Sequence, residues 1–322
     1  MKSIGIFSLA FALTLPLSAH AEWSQGKPIK LVVPFPAGGG ADIIARTLSE
    51  ELSKNIGQKI IIENRAGAGG SLGTEMALRE KADGRTLIYV TNGTLGTNPV
   101  LYPKVGYNVD QDIEPVARLT EISLVMAVNS KRIKVQTLAD FLSYAQKSSV
   151  PLTYSSAGNG TTSHLAGVLL GKLTHLPFEH IPYRGGAASI TDVLAGRIDF
   201  TIDVAPNVWP HVQAGCLTAL GLGANHSYNL SSDLRTIAEN GVPGYELFAW
   251  DGIVVRKGTP EPIVKALSEA IEKTLANEKI QENLIARGAY PVQSTPEGFR
   301  LFLTAEKKKW AELVKTSQTS LD

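Results

Sequence analysis

Cysteine is almost missing from this chain: Cys216 is the only one among 322 residues. An internal disulfide is therefore excluded. With no histidine or acid near it in sequence to activate it, Cys216 reads as a small buried apolar side chain and not as a nucleophile. A surplus of either charge is missing too. Lysine and arginine number 31 against 30 aspartates and glutamates, and no basic cluster exceeds Lys307-Lys308-Lys309, which reads as a solvated helix face. Binding to a phosphate backbone needs a basic surface, so nucleic acid is excluded as a partner. Long apolar runs are missing beyond the N-terminus, which leaves no second segment able to span a membrane. The fingerprints of nucleotide and hydrolase sites fail as well. Gly38-Gly39-Gly40 and Gly67-Ala68-Gly69-Gly70 give neither G-x-G-x-x-G nor a P-loop. No G-x-S-x-G elbow surrounds Ser155, Ser156 or Ser163 near His164. His175 and His180 lack metal-ligand spacing with a second histidine or cysteine and read as surface or packing residues.

What is present begins with export. Lys2 precedes an apolar run from Ile4 to Leu17, and Ser18-Ala19-His20-Ala21 follows as an A-x-A cleavage pattern. Together they read as a secretory signal peptide, residues 1–21, cut after Ala21, which places the mature protein in the periplasm. Pro16 interrupts the run, which is shorter than the roughly 20 residues of a membrane-spanning helix. Without Lys2 the mature chain has 30 basic and 30 acidic residues. It is too long for one ordinary core, so two lobes are expected.

Short β-branched runs alternate with helical patterns, the signature of α/β lobes in which helices cover the sheets. Ile29 to Val33 reads as a strand, followed by a helix from about Asp42 with Ile44, Leu48, Leu52 and Ile56 at i+4 spacing. Strands at Ile60 to Glu63 and Thr86 to Thr91 flank a helix from about Ser71. A second series starts at a strand from Ser123 to Val128. Its strands lie at Leu152 to Ser155, Phe178 to Tyr183, Ile198 to Asp203 and Leu217 to Gly221, with helices between them. Gly196 and Gly215 sit where helix ends favour positive φ. After a strand from Phe248 to Val255 the tail is read as helices only, which must return to the first sheet. The expected division is residues 22–122 with 248–322 as lobe 1 and 123–247 as lobe 2, joined by a two-strand hinge.

Two segments carry chemistry: Pro34 to Asp42, PFPAGGGAD, and Tyr154 to His164, YSSAGNGTTSH. Each follows a strand and opens a helix. The first N–H groups of a helix have no partner within it and the helix dipole is positive there, so such a junction favours an anion. Glycine lets a ligand touch the main chain directly. A tight turn without a ligand is the plainer role for the same glycines.

The stretches KPIKLVVPFPAGGGAD, IIENRAGAGG, the Asp83-Gly84 pair, NPVLYPK, YSSAGNGTTSHLAG, PYRGGAASITDVLAGRID and HVQAGCLTALGLG resemble, in order and over essentially the whole chain, the Bug-type extracytoplasmic solute receptors of tripartite tricarboxylate transporters. The resemblance implies a type II periplasmic-binding-protein fold, closure of two lobes about a hinge on a small carboxylate ligand, and delivery to the membrane subunits of the transporter. It implies a monomer that is not membrane-anchored, with no cofactor, no metal and no catalysis. Carried over by motif, Phe35, Pro36, Ala37 and Asp42 come from the first loop, and Ser156, Gly158, Asn159, Thr161 and Thr162 from the second. Thr91, Asn92 and Thr94 line the first-lobe wall, and Arg184 and Asp203 end strands facing the cleft. Arg184, Asp251 and Arg256-Lys257 depart from the usual family residues. Asp42 has the alternative role of capping its helix, Asp203 of holding a loop amide, and Arg184 of pairing with a surface acid. Glu63, Asn64 and Arg65 are expected to organise the following glycine turn, and Trp209 and Trp250 to pack in the core or hinge.

Overall fold

The computed structural model describes residues 27–102, 104–223 and 230–317. The expected signal peptide and its cleavage site lie outside them. Among the described residues eleven strands form two sheets: β1 (Ile29–Val33), β2 (Ile60–Asn64), β3 (Thr86–Thr91), β4 (Ile113–Ile122), β5 (Leu124–Asn129), β6 (Leu152–Ser156), β7 (Phe178–Pro182), β8 (Phe200–Val204), β9 (Leu217–Leu222), β10 (Ala249–Arg256) and β11 (Ala289–Pro291). The first sheet has the order β11-β4-β10-β3-β1-β2 and the second β7-β6-β8-β5-β9. In each, three parallel strands joined by helical crossovers are followed by one antiparallel strand that arrives from the other lobe. This shared order, second-first-third-newcomer-fourth, is that of the type II periplasmic-binding fold.

The central strands are apolar on both faces because helices cover both sides. Leu31, Val32 and Val33 are all buried. The helix Gly40–Ile56 lays Ile44, Leu48 and Leu52 against the sheet and stops at Gly57, whose φ of 75° lets its N–H close on Ser53 and Lys54 carbonyls. Gly196 and Gly215 both have φ of 71°, as their helix-end positions suggested.

Ser123 alone separates β4 of one sheet from β5 of the other, and the chain returns into β10 through Leu247. The crossings are tied together, since Gly223 N–H donates to Leu124 O at 3.0 Å and Leu247 N–H to Gly223 O at 2.8 Å. Three features differ from the sequence reading. The chain enters the crossing through a ten-residue strand, β4, hidden in sequence by Pro115 and by the charges of Glu114, Arg118 and Glu121; Pro115 sits beside a register shift against β10, where a missing N–H is tolerated. The tail is not purely helical, because β11 adds to the outer edge of β4. Cys216 is exposed and not buried, since it follows the left-handed turn at Gly215 on the surface.

Candidate functional site

Four helices begin at the carboxyl ends of strands facing the gap between the sheets: Gly40–Ile56 after β1, Thr162–Thr174 after β6, Gly186–Leu194 after β7 and Ala205–Gln213 after β8. None of the four has a side chain capping its first turn. Elsewhere the practice is mixed: Thr137 caps Leu138–Lys147 and Asn277 caps Glu278–Ile285, while Ser71–Leu78 and Glu261–Leu275 also start without a side-chain cap. Uncapped first turns leave N–H groups for another acceptor.

These helix ends surround a cavity of about 70 Å³ lined from the first lobe by Phe35, Gly39, Gly40, Ala41, Tyr89, Thr91, Asn92, Ile122, Ala249 and Trp250, and from the second by Ala157, Thr161, Thr162, Ser163, Gly186, Asp203 and Val204. Among the described residues no lysine, arginine or histidine lines it. Asn92 is buried; its Oδ1 accepts Thr162 Oγ1–H at 2.8 Å across the two lobes, while its Nδ2 has no partner among the described residues. A buried donor left unpaired costs free energy, so this N–H₂ calls for an acceptor. Among the same residues Asp203 is the one carboxylate on the wall. Val204 N–H and Asn207 Nδ2 each donate to it at 2.8 Å, but burial outweighs them and pushes its pKa up to about 6. Behind Tyr89 lies Asp251, fully buried, which accepts from Tyr89 Oη and, at 2.9 and 2.7 Å, from Thr120 N–H and Oγ1; burial raises its pKa to about 6 despite these donors.

The two glycine loops are braced differently. In the first, Asp42 accepts from Gly38 N–H (2.9 Å), Arg46 Nε (2.8 Å) and Asn64 Nδ2 (3.0 Å), and Asn64 also donates to Phe35 O at 3.0 Å. Burial alone would raise the pKa of Asp42, yet these hydrogen bonds hold it below the usual carboxylate value. In the second, the brace is neutral. Ser156 Oγ and His180 Nε2 share a 2.6 Å hydrogen bond, Gly158 N–H donates to Ser156 Oγ, and Gly160 N–H donates to His164 Nδ1. The two imidazoles stack with centroids 4.1 Å apart. Burial lowers the pKa of His164 to about 4, and burial together with the neighbouring His164 lowers that of His180 to about 3. Ser156 is wholly buried behind the loop and off the cavity wall, so its pairing with a histidine braces the main chain and presents no nucleophile.

Of the residues marked in the sequence, Phe35, Thr91, Asn92, Thr161, Thr162 and Asp203 meet at the cavity. Pro36, Gly158, Asn159 and Arg184 line a neighbouring, larger recess of about 660 Å³ that shares Phe35 and Ala157 with the cavity. Ala37 is exposed and lines neither, while Thr94 bonds back to Thr91 and shapes the wall from beneath. Asp42 and Ser156 brace their loops, as described. Asn64 organises the first loop and not the glycine turn that follows it, and Arg65 pairs with Glu63 and Glu80. Trp209 packs in the second-lobe core. Trp250 does both jobs, closing the cavity floor while its Nε1–H donates to Glu306 at 2.6 Å. Tyr89, Ile122, Gly186, Val204 and Ala249 were missed; only Gly186, inside PYRGGAAS, carried a signal.

The lobes touch through glycine. A Cβ on Gly69 would lie 2.3 Å from Asn159 O, one on Gly185 2.6 Å from Pro36 Cδ, and one on Gly40 2.4 Å from Val204 Cγ2.

Residues 44–318 match the profile of the tripartite tricarboxylate transporter family receptor. BugT of Bordetella pertussis is 31% identical over 319 residues, 99% of this chain and 97% of that protein. Rpa4515 of R. palustris, solved with adipate, is 32% identical with a TM-score of 0.88, covering 91% of this chain and 98% of that one. MatC (Rpa3494) from Rhodopseudomonas palustris, solved with bound malate, is 32% identical with a TM-score of 0.83, covering 89% and 98%.

Proposed function

This chain belongs to the tripartite tricarboxylate transporter receptor family, and from that premise we propose that it captures a small carboxylate in the cavity between its lobes, without turnover, and passes it to membrane subunits of a transporter. The observation that carries this reading is the unpartnered Nδ2 of Asn92 in a cavity ringed by four uncapped helix ends and, among the described residues, no cationic side chain. Together they offer neutral donors and positive dipole ends at contact distance, which suits an anion small enough to be enclosed. At roughly 10–15 Å³ for each water-sized group, the cavity has room for about five to seven such groups, the scale of a short organic acid. Two relatives of this fold hold adipate and malate. No helix among the described residues is long and apolar enough to cross a membrane. In this reading residues 1–21 direct export and are removed after Ala21, and the monomer works in the periplasm. The lobes, 22–122 with 248–322 and 123–247, then move about the crossings at Ser123 and Leu247.

Thermal melting against mono-, di- and tricarboxylic acids tests the proposal. A ligand that binds only the folded chain raises stability by about 2.7 kcal/mol at a hundredfold excess over its Kd. At least one acid should do so, with a fall in radius of gyration as the lobes close. No shift from any acid would sink the reading.

A further inference from the structure

A plain dicarboxylate fits the charges of this cavity poorly. The donor side, at Asn92 and the helix ends, suits one carboxylate. The second, in a space of about 70 Å³, would lie a few ångströms from Asp203, and no cation among the described wall residues stands between them. Tyr89 beside it is backed by another buried acid, Asp251. Asp203 is only 4% exposed. Its two oxygens take one hydrogen bond each from Val204 N–H and Asn207, with a contribution from Ser163. A carboxylate offers about four acceptor positions, so at least one is left for a donor. Resting on the carboxylate reading above, we propose that the ligand of this receptor carries, besides its carboxylate, a hydrogen-bond donor, an ammonium or a hydroxyl group, that is received by Asp203, so that amino or hydroxy acids are selected over their unsubstituted counterparts.

The buried wall makes this selection steep, because a polar group enclosed without a partner costs far more than the same group in water. An acid lacking the donor leaves Asp203 facing an apolar methylene, and one with a further carboxylate there faces a like charge. Burial holds the pKa of Asp203 at about 6, so above that value the acceptor is ionised and the preference is at its fullest.

Isothermal calorimetry at about pH 8 with two matched series decides it: succinate, malate and aspartate, then propionate, lactate and alanine, whose single carboxylate leaves no second charge to face Asp203. In at least one series the donor-bearing acid should bind about tenfold or more tightly than the unsubstituted one, and comparing its hydroxyl and ammonium forms identifies the donor. Asp203→Asn should bring the members of that series within about threefold of each other while the unsubstituted acid still binds. Unsubstituted acids that bind as well as both substituted forms overturn the inference and leave the carboxylate reading standing, and the native protein alone shows this even if the variant fails to fold. A preference that survives in folded Asp203→Asn overturns it as well. If no acid of either series, and no other carboxylic acid, binds, both readings fall together.

Discussion

The loop after β1 and the loop after β6 occupy equivalent places in their sheets, each feeding a helix whose uncapped first turn meets the cavity, yet one is braced by an ionised carboxylate and the other by two neutral imidazoles. Asp42 collects three donors and stays charged. His164 and His180 lie deep enough to lose their protons and act as plain hydrogen-bonding groups. The same backbone task, holding a glycine loop so that helix N–H groups face a ligand, thus has two electrostatic solutions. The charge in the first loop is balanced by its own salt bridge to Arg46. A charge at His180 would sit under the second of the two loops proposed to hold the ligand.

The largest effect is expected where the two loops' lobes meet. Gly69 has φ of 59° and touches Asn159. Alanine can adopt that backbone at a cost of about 1 kcal/mol, but its Cβ would lie 2.3 Å from a main-chain carbonyl that cannot swing away. Lobes that part about the proposed hinge would relieve that overlap. Gly69→Ala should therefore fold and lose about a hundredfold or more in affinity, because the closed, binding-competent state becomes rare. Wild-type affinity by calorimetry would show that the loops do not need this contact to bind ligand.

Next comes Asn92, which joins the lobes through Thr162. Asn92→Asp keeps the acceptor for Thr162 and replaces the unpartnered donor with a charge of the ligand's own sign. Loss of a hydrogen bond to a charged group is worth about 1.5–3 kcal/mol, so Kd should rise about ten- to a hundredfold. An unchanged Kd would move the carboxylate away from Asn92.

The two braces differ in how far sequence discloses them. Pro34 to Asp42 and Tyr154 to His164 stood out because strand, glycines and helix start are contiguous, and Asp42, in the first turn of its helix, is a local signal. His180 lies 24 residues from Ser156, on the neighbouring strand β7, so only strand pairing brings them together. The cavity floor was hidden for the same reason. Tyr89, Ile122 and Ala249 come from three strands whose adjacency is a matter of topology, and Asp251 showed only as a departure from the residue usual in the resembled family. β4 was obscured by its own charges, of which Arg118 and Glu121 pair with each other and Glu114 pairs with Lys257 and Arg300.

The contrast in protonation can be sharpened with His180→Gln, which can keep the bond to Ser156 but cannot charge. In the native protein the pKa of His180 lies below its ordinary 6.5, so the unfolded chain takes up that proton first and stability is lost as pH falls through 6.5. Asp203 and Asp251 carry the opposite sign. Their pKa values are raised to about 6 from 3.8, so the folded state protonates first and stability grows as pH falls through that window. The native melting curve sums these opposite effects with a further loss at His164, so only the difference between variant and native isolates His180. Asp42, whose pKa is lowered, matters only at more acid pH. Relative to the native protein, the variant should gain up to about 2 kcal/mol between pH 7 and pH 5. Urea melts of both proteins at the two pH values would detect this, and a constant difference would mean that the fold does not lower the pKa of His180.

The smallest effect is expected at Arg184, although it is the one cation among the residues that the sequence placed at the cleft. It follows β7, is exposed, and lines the larger recess beside Pro36 and Gly158, off the cavity wall. A guanidinium in water interacts weakly with a charge it does not touch, and salt weakens the interaction further. The cavity needs no such cation if neutral donors hold the carboxylate, because N–H groups at contact distance are little screened. Arg184→Ala should therefore leave Kd within about threefold of the native value, and both proteins should bind almost equally at low and high ionic strength. A larger loss confined to low salt would show that Arg184 draws the anion toward the mouth, which should appear in the association rate. Loss of binding at every ionic strength, with the fold intact, would place the ligand in the larger recess against Arg184, and the contrast between the two braced loops would then concern the wall behind the site instead of the site itself.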